Sequence, residues 1–249
     1  MSKEANKVMI FAAGLGTRLK PLTDTMPKAL VPIGGKPLLE RLLDKLDRAG
    51  YDDVVINIHH FADMIETWLA DHPREGRKVA CSDERQQLLE TGGGIKHAMP
   101  LLQDAERFLI HNVDIISNCD LQAFRAAGEG KSALLLVSQR VTQRYLLFDD
   151  DMRLVGWTNI KTGEVKSPYE GLDPDKYHKY AFAGIHQMST SLFRYFEDWP
   201  EKFSIIDFYL NLCAREGIYG YVQPDLRLMD VGKIDTLDEA NRFALEMEA

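Results

Sequence analysis

Cysteine is scarce. The 249 residues hold three, at 81, 119 and 213, with no C-x-x-C pair, so neither a zinc knuckle nor a disulfide framework is signalled. No apolar run approaches the roughly 20 residues that span a bilayer, and the polar start MSKEANK leads straight into a strand pattern. A soluble, cytoplasmic protein is expected. Positive charge is also in deficit: 30 Lys plus Arg stand against 38 Asp plus Glu, a formal net charge of -8. That balance argues against a nucleic acid or an anionic membrane as partner. There is no internal repeat, no low-complexity tract and no Ser/His/Asp arrangement. His59, His60 and His97 lie in no H-E-x-x-H or facial-triad pattern and read as structural or surface residues. Asp149 to Asp151 lack EF-hand spacing and read as a solvated hairpin tip.

What the chain does have is alternation of strand and helix signals. KVMIFAAG is a continuous apolar run ended by glycine, the pattern of a strand covered on both faces. PLLERLLDKLDRAG (37–50) carries Leu38, Leu39, Leu42, Leu43 and Leu46 on one helical stripe, with Pro37 in the first turn and Gly50 as the stop. DVVINIHH, KVACSDE and RFLIHNVD read as further strands. FADMIETWLADH reads as a helix, and GGGIKHAMPLL as a short helix that begins in glycines. This order predicts an α/β fold: a Rossmann-like, doubly wound, mostly parallel sheet. From about residue 140 the grammar changes to hairpins, giving a small β-rich subregion. We read one domain over 1–249, with a first half at 1–139, a second at 140–232, a lid-like loop at 159–180 and a C-terminal helix at 233–248. Thr236 and Glu239 have capping-box spacing in that helix.

The chemistry concentrates after the first strand. Gly14, Leu15 and Gly16 make a glycine turn, but Leu19 stands where a dinucleotide fingerprint needs its third glycine, and no P-loop pattern is present. Such glycines also end buried strands for steric reasons alone. Next to them stand Thr17 and Arg18 and, beyond Pro27, Lys28. A bidentate guanidinium and a flexible ammonium beside one backbone cradle suit a polyphosphate. Asp114 and Asp230 each end a strand-like run. Each reads either as a helix cap or as one of two carboxylates converging on a hard cation such as Mg²⁺. Gly92, Gly93 and Gly94 read either as a flexible helix start or as a place of close backbone approach to a flat base.

G-L-G-T-R-L-K-P-L-T-D-T-M-P-K (14–28) resembles the signature loop of the sugar-1-phosphate nucleotidyltransferases. The likeness continues through E-T-G-G-G-I (90–95), H-N-V-D (111–114), F-A-G-I (182–185) and M-D-V-G (229–232). The pattern is similar to the short bacterial members that uridylylate N-acetylmuramate 1-phosphate. The resemblance implies a nucleoside triphosphate and a sugar 1-phosphate as substrates, release of pyrophosphate, and Mg²⁺ as cofactor. It implies Ala12, Ala13, Gly14, Leu15, Gly16, Thr17, Glu90 and Gly93 at the nucleotide, with Arg18 and Lys28 on its phosphates. Asp114 and Asp230 would hold the metal, and Gly184 would line the acceptor side, in the half at 140–232. Other readings of the same pattern are a phosphocholine acceptor and a non-catalytic sugar-nucleotide sensor. The chain departs from its relatives at Val113, where many have glycine, at Met229, where the most similar have tryptophan, and at Lys233. It also lacks the E-K-P lysine of larger members, for which Lys161 and Lys179 are candidate substitutes.

Overall fold

The first four residues of KVMIF are buried, and alternate side chains leave the strand on opposite faces. Val8 and Ile10 join one core with Leu39, Leu43 and Ile56, whereas Met9 joins a second with Val55, Ile110 and Phe208. The computed structural model describes residues 6–247. After β1 (Lys7–Phe11) come three short 3₁₀ turns and the hairpin β2 (Pro32–Ile33) and β3 (Lys36–Pro37). Then follow α1 (Leu38–Arg48), β4 (Asp53–Ile58), α2 (Ala62–Asp71), β5 (Lys78–Asp83), α3 (Glu90–Leu102), β6 (Arg107–Asn112), β7 (Ile115–Ser117), α4 (Leu121–Ala127) and β8 (Ala133–Ser138). The second half supplies β9 (Arg144–Phe148), β10 (Leu154–Asn159), β11 (Glu164–Lys166), β12 (His178–Ser189), α5 (Ile205–Leu212), β13 (Ile218–Val222), β14 (Leu228–Asp230) and α6 (Leu237–Glu246). Among the described residues no helix is long and apolar enough to cross a membrane.

The expected α/β sheet is present. β6, β1, β4 and β5 run parallel in that order, and β12 joins antiparallel at β6. The leucine stripe of α1 is buried as its spacing predicts, each such side chain contributing roughly 2 kcal/mol. Pro37 stands at the N-cap, one place earlier than expected. The acidic hairpin is also found, as β9 paired antiparallel with β10.

Three local expectations are corrected. The glycines 92–94 lie inside α3, which begins at Glu90. Built onto the backbone, a Cβ at Gly92 would lie 2.3 Å from the Phe203 ring, and one at Gly93 would lie 2.1 Å from the Glu201 carbonyl oxygen. Gly92 and Gly93 let α3 press against the 201–203 segment, while Gly94 faces Glu84 and Asn57. The lid-like 159–180 is not a free loop: a tight turn at Gly163 (φ +73°) folds β11 back onto β10. At the last helix, Thr236 makes no side-chain cap, because its hydroxyl donates back to the Lys233 carbonyl at 3.1 Å.

Two histidines are buried in the sheet, His111 at 0% and His186 at 1% exposure. Burial pushes both pKa values from 6.5 down to about 3, helped at His111 by the Lys45 ammonium. Both stay neutral in the fold while the unfolded chain takes up protons below pH 6.5, so stability is lost as pH falls. Urea unfolding should therefore show a decrease of about 3 kcal/mol between pH 6.5 and pH 5 from these two groups together. His186→Asn should remove about half of that slope, and an unchanged slope would contradict the assignment.

Candidate active site

β1 lies where the strand order reverses, with β4 on one side and β6 on the other. Parallel sheets bind ligands in the crevice beyond the carboxyl ends at such a point. A cavity of about 450 Å³ opens there, walled by residues 11–18, Lys28, Asn57, Glu90, Asn112 to Asp114 and Gly232. The loop after β1 is fixed from below. The Oδ1 of buried Asn57 accepts from the backbone N–H of Ala12 at 2.7 Å and of Ala13 at 3.2 Å. Asn57 in turn donates to Glu84 Oε1 at 2.7 Å. Burial raises the pKa of Glu84, whose other oxygen accepts from the Leu89 N–H at 3.3 Å. The sequence reading missed this clamp. Its one signal is an amide inside the apolar strand DVVINI.

Gly14 has no atom within 4 Å of where a Cβ would sit. Gly16 has φ +63°, and a Cβ there would lie 2.8 Å from the Thr23 methyl group and 3.1 Å from Lys28 Cβ. Its carbonyl accepts from Leu19 N–H at 2.8 Å and the Thr23 hydroxyl at 2.9 Å. The turn thus folds tightly and points Arg18 and Lys28 at the crevice. Lys28 is buried and forms an ion pair with Asp114.

Asp230 comes from the far end of the chain. β14 pairs antiparallel with β7, placing Asp230 opposite Ile115, and the Val231 N–H donates to the Asp114 carbonyl at 2.8 Å. The two aspartates are thereby neighbours. Loss of water and then the nearby Asp114 carboxylate raise the pKa of Asp230, against the opposing pull of Lys28, Arg18 and Arg140. A Cβ at Gly232 would sit 2.7 Å from an Arg18 guanidinium nitrogen and 2.9 Å from Asp230 Oδ1. A larger residue there would have to push the Arg18 guanidinium or the Asp230 carboxylate aside.

The structure thus brings Ala12, Ala13, Gly14, Leu15, Gly16, Thr17, Arg18, Lys28, Glu90 and Asp114 to one cavity. Glu90 does so with φ +62°, a conformation uncommon for a residue with a side chain. Gly93 is not on the cavity wall: its N–H faces the Phe203 carbonyl at 3.3 Å, and its missing side chain makes room for the chain itself. Gly184, at φ +75° in the irregular part of β12, packs against the Asn112 amide rather than facing the cavity. Lys179 is paired with Asp175 at 2.5 Å and Lys161 sits in an exposed turn. Neither reaches the crevice. Among the described residues no group of three or more His, Cys, Asp or Glu side chains is gathered to hold a metal.

The family model described as nucleotidyl transferase matches residues 7–247. The chain belongs to the nucleotidyl transferase family. Among its relatives, N-acetylmuramate alpha-1-phosphate uridylyltransferase of Caulobacter vibrioides is 34% identical over 93% of this chain and 94% of that protein. The enzyme of the same name from Neisseria meningitidis serogroup B is 43% identical over 51% of this chain and 54% of its own length. HddC from Yersinia pseudotuberculosis, solved with GMP-PN, shares the fold with a TM-score of 0.73 at 24% identity, covering 95% of this chain and 98% of that one.

For this nucleotidyl transferase, glycines of opposite kinds separate fold from binding. Gly93→Ala should lower unfolding stability by roughly 2–3 kcal/mol through overpacking, seen as a reduced thermal midpoint. Gly14→Ala should keep the midpoint and weaken triphosphate binding in calorimetry. A stable Gly93→Ala protein with weakened nucleotide binding would return Gly93 to the nucleotide site.

Proposed function

We propose that the chain is a Mg²⁺-dependent uridylyltransferase that joins UTP to N-acetylmuramate α-1-phosphate. Its reaction class is that of the sugar-1-phosphate nucleotidyltransferases: a nucleoside monophosphate moves from a triphosphate to a sugar 1-phosphate, forming an NDP-sugar and releasing pyrophosphate. The choice of UTP and of this acceptor rests on one observation, the near end-to-end match with the Caulobacter vibrioides enzyme.

The obstacle in this reaction is repulsion between two polyanions. The second pKa of a phosphate monoester is about 6, so the nucleophilic oxygen is already ionised at neutral pH and needs no base. The residues of the crevice meet that demand. The N–H groups of Ala12 and Ala13 are tied down by Asn57, so the turn at Gly14 to Gly16 is held ready beside the triphosphate. Arg18 grips phosphate oxygens in a fork and Lys28 adds a mobile charge. Asp114 and Asp230 suit a hard divalent cation, because the β7–β14 pairing makes them neighbours and burial, with the Asp114 charge added to it, raises the Asp230 pKa. Two carboxylates would leave room on such an ion for substrate phosphates and water. When bound, Mg²⁺ supplies charge neutralisation between the phosphates.

The test is pyrophosphate release from the four triphosphates with a panel of sugar 1-phosphates and phosphocholine. UTP with N-acetylmuramate 1-phosphate should give the highest kcat/KM, and EDTA should abolish turnover until Mg²⁺ is restored. Asp114→Asn and Asp230→Asn should each lower kcat at least on the order of 100-fold, with the thermal midpoint retained in Asp230→Asn and lowered in Asp114→Asn, where buried Lys28 loses its partner. Near-normal rates from either variant would sink the metal assignment.

A further inference from the structure

A second cavity, of about 520 Å³, lies between the β9–β10–β11 meander and α5. The strand register fixes which side chains face it. Arg144, Asn159 and Glu164 are cross-strand partners in one row, and Leu146, Trp157 and Lys166 in the next. Directly paired residues project to the same side of a sheet, so all six share the face that α5 covers.

Most polar groups on these walls are already engaged. Lys166, which sequence reading passed over, pairs with Asp207 of α5 at 3.0 Å and lies 5.3 Å from the Trp157 ring centroid. Arg140 donates to the Phe182 carbonyl at 3.1 Å. Arg144 differs. Its backbone N–H donates to the Thr142 hydroxyl at 3.4 Å, but among the described residues its guanidinium has neither hydrogen bond nor ion pair. The acids facing this space are Asp207, neutralised by Lys166, and Glu164, on the outer strand of the meander. With Arg140, Arg144 and Lys166 against Glu164 and Asp207, the lining keeps one net positive charge, and among the described residues Arg144 is the cation without a partner.

This cavity adjoins the nucleotide crevice. Phe182 lines it, while Gly184, two residues further along β12, packs against Asn112 of the crevice wall. Arg140, on the wall of this cavity, is also near enough for its charge to act on Asp230. An acceptor held here would offer its phosphate toward the aspartates. Trp157 gives a flat apolar wall for a sugar ring, and Asn159 and Glu164 give groups for hydroxyls.

We propose that Arg144, with Arg140 beside it, receives a carboxylate that the acceptor sugar carries in addition to its phosphate. The enzyme thereby selects an acidic sugar 1-phosphate over its neutral counterpart. A planar guanidinium without a protein partner matches a carboxylate in two parallel hydrogen bonds. The assignment rests on the uridylyltransferase reading. N-acetylmuramate meets the requirement, because its lactyl ether bears a carboxylate that N-acetylglucosamine lacks.

The test compares UTP-dependent rates with N-acetylmuramate 1-phosphate and N-acetylglucosamine 1-phosphate for the wild type, Arg144→Gln and Arg144→Lys. Arg144→Gln should lower kcat/KM for the acidic acceptor about 10- to 100-fold, chiefly through KM, and leave the neutral acceptor unchanged. Arg144→Lys should recover part of the loss. The side chain is exposed and unpaired, so the thermal midpoint should not move. Unchanged kinetics with the acidic acceptor, equal losses with both acceptors, or a wild-type preference for the neutral one would each overturn the proposal. Turnover of neither acceptor by the wild type would instead overturn the uridylyltransferase reading and this assignment with it, which separates the two failures.

Discussion

The site depends on β1 running between two parallel neighbours. Phe11 is in register with Asn57 of β4 on one side and with Asn112 of β6 on the other. Those two asparagines start the two walls of the crevice. One holds the glycine turn by its amide, and the other leads through Val113 to Asp114. The Val113 N–H donates to the Phe11 carbonyl at 3.1 Å, so the β6 wall is tied to the end of β1 as well. A slip of one residue in either pairing would turn the inward side chains outward and separate the turn from the aspartate. Valine where many relatives have glycine is accommodated because its side chain, 4% exposed, points into the core.

The charges at the crevice come in balanced pairs, Arg18 and Lys28 against Asp114 and Asp230. Without that balance, two neighbouring carboxylates would repel each other at a cost that the Lys28–Asp114 ion pair offsets. The same balance makes the site receptive to more than one ion. A polyphosphate brings negative charge to the two cations, and in the proposed reaction this would release the carboxylates for a divalent metal. Gly232 keeps the cationic and anionic arms within reach of each other, which gives the D-V-G sequence a steric meaning.

Much of this was legible in the sequence because the signals are local. The apolar run of β1, the leucine stripe of α1 and the G-L-G-T-R turn announce themselves within a few residues. Asp230 was legible as a strand end, whereas Asp114, read the same way, lies in the turn between β6 and β7. Features that depend on distant partners were not. The Asn57–Glu84 clamp joins residues that only tertiary packing brings to Ala12. Gly93 shows the limit well: a missing Cβ is visible in the sequence, but what it avoids is not. Here it avoids the Glu201 carbonyl rather than making room for a base. At 159–180, turn-forming residues concealed a three-residue strand too short to show alternation. At Thr236, the spacing of a capping box was present, but the backbone turned the hydroxyl toward Lys233.

The short ladder between β7 and β14 has a consequence for how the protein comes into being. Arg18, Lys28 and Asp114 are all made well before Asp230, and the β1–β4–β5–β6 core can begin to associate as they emerge. Asp230 lies 116 residues beyond Asp114 in the chain and joins it only when β14 pairs with β7. A nascent chain can thus possess a glycine turn and both cations while its second carboxylate is still unmade. The site is finished only once β14 has been made and has found β7, and triphosphate met earlier finds a cradle without its full set of charges.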